Sequence, residues 1–157
     1  AIRIIDKTGP LNNPADRDHC IQYMVAIGLL KGNLTAQDYE DKMAQDPRVD
    51  LLREKMVCQE NKKYTKDYLD PEKRSIANAI QIFYLDGTKS EQIAVEYPIG
   101  HKRRREEGIP KLVEKFKRNL ARQFDPARAD KILAISLDQV ALELMPVNDY
   151  VDLYWKG

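Results

Sequence analysis

His19 and Tyr23 stand four residues apart in an apolar stretch, a spacing that stacks two side chains one turn apart on one helix face. An imidazole that titrates near neutrality, beside a phenol that can donate to a developing oxyanion, is a workable acid/base pair. Gln22 adds an amide three residues from His19, and Arg17 and Asp18 lie just upstream, near a helix N-terminus whose partial positive charge favours anions. The same pattern arises more often from a packed tyrosine and a backbone-bonded histidine. Residue types alone leave both readings open.

The second chemical feature is the basic run Lys102–Arg105 and the stretch behind it. From His101 to Arg122 there are nine Lys and Arg against three Glu, so this window carries +6 in a chain whose formal charge is +1. It reads as a solvated face balanced elsewhere, as a clamp for a polyanionic small molecule with Arg103 in it, as an RNA-binding patch, or as a dimerisation or interdomain surface. RNA patches interleave cations with exposed aromatics, whereas Phe116 falls on an apolar stripe. No phosphate-binding glycine loop, dinucleotide fingerprint, HExxH or GxSxG pattern occurs.

Composition narrows the classes further. The chain has 157 residues, 43% hydrophobic and 32% charged, which suits one folded domain or part of a larger one rather than disorder. Near-neutral charge argues against a chain-wide nucleic-acid or membrane-surface binder. No apolar run is long enough to cross a bilayer. Two cysteines, Cys20 and Cys58, fit a reducing cytoplasm better than a disulfide scaffold. With only His19 and His101 beside them, no metal site and no iron–sulfur cluster is expected. Cys20 reads as a core residue. The first residue is Ala and no signal segment opens the chain; Ile2–Ile5 reads as the end of a strand already under way, and hence as a fragment.

These residues need elements to hold them. Residues 12–32 read as one helix, capped by Asn13, started by Pro14 and stopped by Gly32. It is apolar almost all the way round, which predicts burial on most sides. Thr35 and Asp46-Pro47 cap two short helices; Lys55–Cys58 reads as a strand and Asn61–Pro71 as a loop. Ile76, Ile80, Ile82 and Tyr84, then Asp86-Gly87, then Ile93, Val95 and Tyr97 predict a β-hairpin. Beyond it, Pro110, Asp125-Pro126 and Pro146 open three helices. The expected class is α+β: a lid-type α/β segment with a small antiparallel sheet and flanking helices, followed by a C-terminal helical segment.

Several long stretches are more specific than their physics. Gly9 to Met24 (GPLNNPADRDHCIQYM), Asp70-Pro71-Glu72-Lys73-Arg74, Ile76 to Ile80, Glu96 to His101, Ile109 to Val113 and Met145 to Asn148 resemble the C-terminal third of the MmgE/PrpD family from end to end. The resemblance implies a large helical domain and a smaller α/β lid with the active site in the cleft between them. Residues 1–104 would be the lid portion, and 105–157 would pack back on the helical domain of the same chain. It implies a cofactor-free lyase that eliminates water from 2-methylcitrate to give 2-methylaconitate, in the methylcitrate cycle of propionate catabolism. The partners are a tricarboxylate substrate and the N-terminal helical domain, with no nucleic acid, no membrane and a homodimer as the candidate assembly. A decarboxylase branch of the superfamily resembles the chain at His19, Gln22 and Tyr23, and its matching tyrosine lines the pocket. That carries a catalytic role to Tyr23 and then to His19, with Arg17, Gln22 and Arg103 as substrate-binding candidates. Position 18 is Asp where the decarboxylase has Arg. The pocket histidines and lysine of the family lie on the helical domain, so the chain by itself is expected to be inactive.

Overall fold

The computed structural model describes residues 2–155, which form two compact units that divide between residues 66 and 67. The division expected near residue 104 concerns packing against a larger protein; within this chain the break falls earlier.

The first unit is built on α3 (Ile21–Lys31), which packs on α5 (Pro47–Arg53). Cys20, Tyr23, Ala26, Ile27 and Val49 form its interior, with Leu11, Leu30, Tyr39, Met43 and Leu52 closing around them. α3 is buried or half-buried along most of its length with Leu29 exposed, as its nearly uniform apolar surface requires. Before it come α1 (Ile2–Ile5) and α2 (Pro14–Asp18); between α3 and α5 lie a 3-10 turn (Ala36–Tyr39) and α4 (Asp41–Ala44). Local chemistry sets the ends. Asn13 accepts from the Asp16 amide at 2.9 Å, and Asp46 from the Arg48 amide at 3.0 Å, both relieving unpaired first-turn donors. Thr35 and Asp38 close a reciprocal capping box. Gly32 ends α3 at φ +76°, a left-handed stop open to glycine.

Four expectations are corrected. Ile2–Ile5 is helical, not a strand end. Lys55–Cys58 makes no strand. The polar stretch after Asn61 folds as α6 (Lys62–Leu69), because the Asn61 carboxamide caps the Lys63 and Tyr64 amides. The helix expected over 12–32 breaks at His19 and Cys20.

In the second unit the hairpin forms with β1 (Asn78–Ile80) antiparallel to β2 (Ile93–Val95), Ile80 facing Ile93. Asp86 and Gly87 turn the chain, with Gly87 at φ +84°. The strands are shorter than expected, and a single bridge, Phe83 to Lys89, continues the ladder. A 3-10 turn (Lys102–Arg104) leads into α7 (Arg105–Ala121). Pro110 therefore lies inside α7 rather than at its start, and leaves one carbonyl of the preceding turn without its amide partner. α8 (Pro126–Leu137), capped by Asp125, packs on α7 and on α9 (Gln139–Leu144); α10 (Val147–Asp152) closes the segment. Leu120, Ala129 and Ile132 make this unit's small core, ringed by Phe116, Phe124, Leu133, Leu153 and Tyr154. The order of helices, hairpin and helices is the expected α+β class.

Candidate active site

Asp18 ends α2 and His19 caps it at φ −107°, ψ 25°; Cys20 is extended, and α3 begins after it. The extended Cys20 turns its thiol inward, where it donates to the Lys7 carbonyl at 3.5 Å and the Gln22 Oε1 at 3.4 Å. The break takes His19 off the helix that carries Tyr23, so the two do not share a face. His19 is 58% exposed and its Nδ1 lies 2.5 Å from Asp18 Oδ1. A carboxylate on Nδ1 holds that nitrogen as the donor and leaves Nε2 as the nitrogen available to a ligand.

Tyr23, Gln22 and Arg17 turn the other way. Tyr23 is 2% exposed, stacks on Tyr39 with centroids 6.1 Å apart, and donates its hydroxyl to the Asp38 carbonyl at 2.5 Å. Burial pushes its phenol above the ordinary range, against the pull of Arg17. The Gln22 amide donates to Asp6 Oδ1 at 2.5 Å. Arg17, buried, donates from Nη1 to the Tyr39 carbonyl at 2.6 Å and pairs with Asp41 at 2.8 Å; among the described residues its Nε has no partner. Asp38, which no motif in the sequence marks as functional, organises the group: it accepts from the Thr35 amide and hydroxyl at 2.7 and 2.8 Å and pairs with Lys31. Burial acts to raise its pKa, but the Lys31 and Thr35 bonds outweigh it and hold the carboxyl below its usual range.

Arg103 belongs to the second unit. Its guanidinium lies 5.3 Å from the centroid of the Tyr97 ring and donates to the Glu72 carbonyl. His101, its ring tilted at 37° to Tyr97 with centroids 4.6 Å apart, accepts the Arg103 amide on Nδ1 at 3.1 Å. Thus Arg17, Gln22 and Tyr23 form one buried group, His19 is the exposed titratable residue beside it, and Arg103 stands in a separate cluster. Among the described residues, no group of three or more His, Cys, Asp or Glu could hold a metal ion, and no helix is long and apolar enough to cross a membrane.

Comparison with known proteins matches residues 1–139 to the MmgE/PrpD C-terminal domain. The 2-methylcitrate dehydratase of Escherichia coli K12 is 67% identical over 98% of this chain and 32% of its own length. The enzyme of the same name from Cupriavidus necator is 63% identical over 98% of the chain and 32% of its length. A mitochondrial 2-methylcitrate dehydratase from Yarrowia lipolytica is 56% identical over 99% of the chain and 30% of its length. The chain spans about a third of the length of these relatives.

Proposed function

The chain belongs to the MmgE/PrpD family, and from that premise we propose that it is the C-terminal part of a dehydratase acting on 2-methylcitrate. The observation that carries this reading is 67% identity to an enzyme of that name across 98% of the chain. Substrate, reaction and partner domain are part of the proposal. Residues 1–104 form the lid portion, and 105–157 return to a helical domain elsewhere in the longer protein. Exposed Leu112, Leu137, Val140 and Leu144 support that return, because apolar side chains spread along these helices have nothing to cover them here. The working compartment is the cytoplasm in the bacterial case; the Yarrowia relative is named as mitochondrial.

Elimination of water requires a base to take a proton next to a carboxylate, whose electron pair becomes the double bond. An acid must protonate the departing hydroxyl, and cations must hold the carboxylates. His19 supports a proton-transfer role: it is exposed, and the Asp18 carboxylate on Nδ1 leaves Nε2 to reach outward. Tyr23 takes part in this chemistry only when its hydroxyl leaves the Asp38 carbonyl. Until then it shapes the segment that presents His19. Arg17 and Gln22 belong to the proposal in the same indirect way, as Arg103 does through the Glu72 backbone.

The intact protein that carries this chain should convert 2-methylcitrate to an unsaturated product, seen by its absorbance, and the 157-residue chain should not. His19→Gln in the intact protein should lower kcat by about a hundredfold or more with unchanged circular dichroism. Wild-type turnover in that variant would remove His19 from the chemistry.

A further inference from the structure

The turn at 70–74, the segment 97–101 and the start of α7 are locked together by side chains that reach backbone. Arg103 donates to the Glu72 carbonyl across the Tyr97 ring. Arg104 donates to the Tyr97 carbonyl at 2.8 Å and pairs with Glu107. His101 accepts the Arg103 amide on Nδ1, so its proton sits on Nε2 and is donated to the Arg74 carbonyl at 3.2 Å. Gly108 lets α7 approach so closely that a Cβ there would lie 2.3 Å from the Ile99 oxygen.

Three cations stand outside this lattice. Arg74, Lys102 and Arg105 are exposed and, among the described residues, form no ion pair or hydrogen bond through their side chains. The turn that carries the first of them is costly to hold. Arg74 is the one non-glycine among the described residues with positive φ, at +46°. Ser75, next to it, is fully buried, and among the described residues its hydroxyl has no partner. Strain and an unpaired buried polar group persist where surrounding structure over-determines them, and such places cluster at ligand sites. Exposed Glu72 and Glu106 lie in the same segments. They repel any anion, so a ligand is held where several of its carboxylates each meet a cation.

We propose that Arg74, Lys102 and Arg105 form a cradle for a small polycarboxylate, with His101, Arg103 and Arg104 as the residues that position it. The ligand class rests on the dehydratase reading; the cradle itself rests on the geometry above. It also reassigns Arg103, from ligand contact to positioning residue.

Citrate is the probe, titrated calorimetrically into the 157-residue chain at low salt. Saturable citrate binding with none for acetate is expected, weakened about tenfold or more in R74Q/K102Q/R105Q. The variant K111Q/K115Q/K117Q changes charge equally along α7 and should bind as wild type. Arg74→Gly relieves the left-handed strain while removing one cation, so weaker binding in a chain with undiminished Tm also supports the cradle. Equal loss in both triple variants, absence of saturable binding, or displacement of citrate by an RNA oligonucleotide that binds more tightly overturns it. Citrate binding to the chain, with no water loss from 2-methylcitrate by the intact protein, would leave the cradle standing and sink the dehydratase reading. Turnover by the intact protein without citrate binding to the chain would do the reverse.

Discussion

The two units handle polar side chains in opposite ways. Around α3, groups capable of chemistry other than His19 are drawn inward: Tyr23, Gln22, Arg17 and Asp38 are each at most 4% exposed, with hydrogen bonds to nearby backbone or side chains or ion pairs with nearby side chains. Among the described residues from 67 onward the buried core is three residues with a half-buried rim, while the hairpin leaves Phe83, Leu85 and Ile93 in solvent. The guanidinium groups there reach for carbonyls at the surface. One unit is held by packing around a buried polar scaffold, the other by local latches. A chemically promising residue type therefore means different things in the two places: in the first, His19 apart, it signals a scaffold, in the second a surface that other groups can meet.

The largest effect expected from this contrast is a pair of truncations. Ile27, wholly buried between α3 and its neighbours, should cost about 4 kcal/mol as Ile27→Ala, through lost transfer energy and an unfilled cavity. Leu85→Ala at the hairpin tip should change stability by about 0.5 kcal/mol or less, since the side chain is fully exposed. Urea denaturation of the 157-residue chain measures both. A large loss in the Leu85 variant would mean that the hairpin is packed against something and that the contrast is wrong.

Next in size is a latch. Gly108→Ala forces a methyl to within 2.3 Å of the Ile99 carbonyl oxygen, a backbone atom that cannot swing aside. About 2–3 kcal/mol should be lost. Gly28→Ala in α3 meets nothing within 4 Å and should gain up to about 1 kcal/mol from helix propensity. If Gly108→Ala is as harmless as Gly28→Ala, the approach of α7 to the 97–101 turn is looser than described, and the positioning of the cradle fails with it.

Much of this architecture was legible because caps and turns are short-range chemistry. Asn13, Thr35, Asp46, Asp125 and Pro146 each mark a helix start, and Asp86-Gly87 marks the hairpin. Asn61 shows the limit of that code, since the same residue type favours a turn and caps a helix, and only the amides behind it decide. The break at Cys20 was not legible because it answers to partners far along the chain: the thiol meets the carbonyl of Lys7, and Gln22 meets Asp6. Residue identities and order brought His19, Tyr23, Gln22 and Arg17 into view, but not which of them faces solvent. Arg74 and Ser75 gave no signal, because left-handed backbone at an arginine and an unpaired buried hydroxyl are products of tertiary latching rather than local preference.

The smallest effect is the most discriminating. Tyr23→Phe keeps the ring stacked on Tyr39 and removes only the bond to the Asp38 carbonyl, which should cost about 1 kcal/mol. It should also alter the alkaline limb of the stability curve. Burial raises the Tyr23 pKa in the fold, so the unfolded chain ionises first, from about pH 10 upward. Stability is thus full below that range and falls as pH rises through it. The Phe variant should lose less on going from pH 8 to pH 11 than wild type, with a residual slope from Tyr39, which burial also raises. A scaffold residue shifts these equilibrium curves while kcat of the intact protein stays near wild type. If turnover falls a hundredfold or more instead, with denaturation curves unchanged at both pH values, Tyr23 works at the substrate and its bond to Asp38 opens during the reaction. The first unit would then present its buried phenol to chemistry as directly as the second presents its cations.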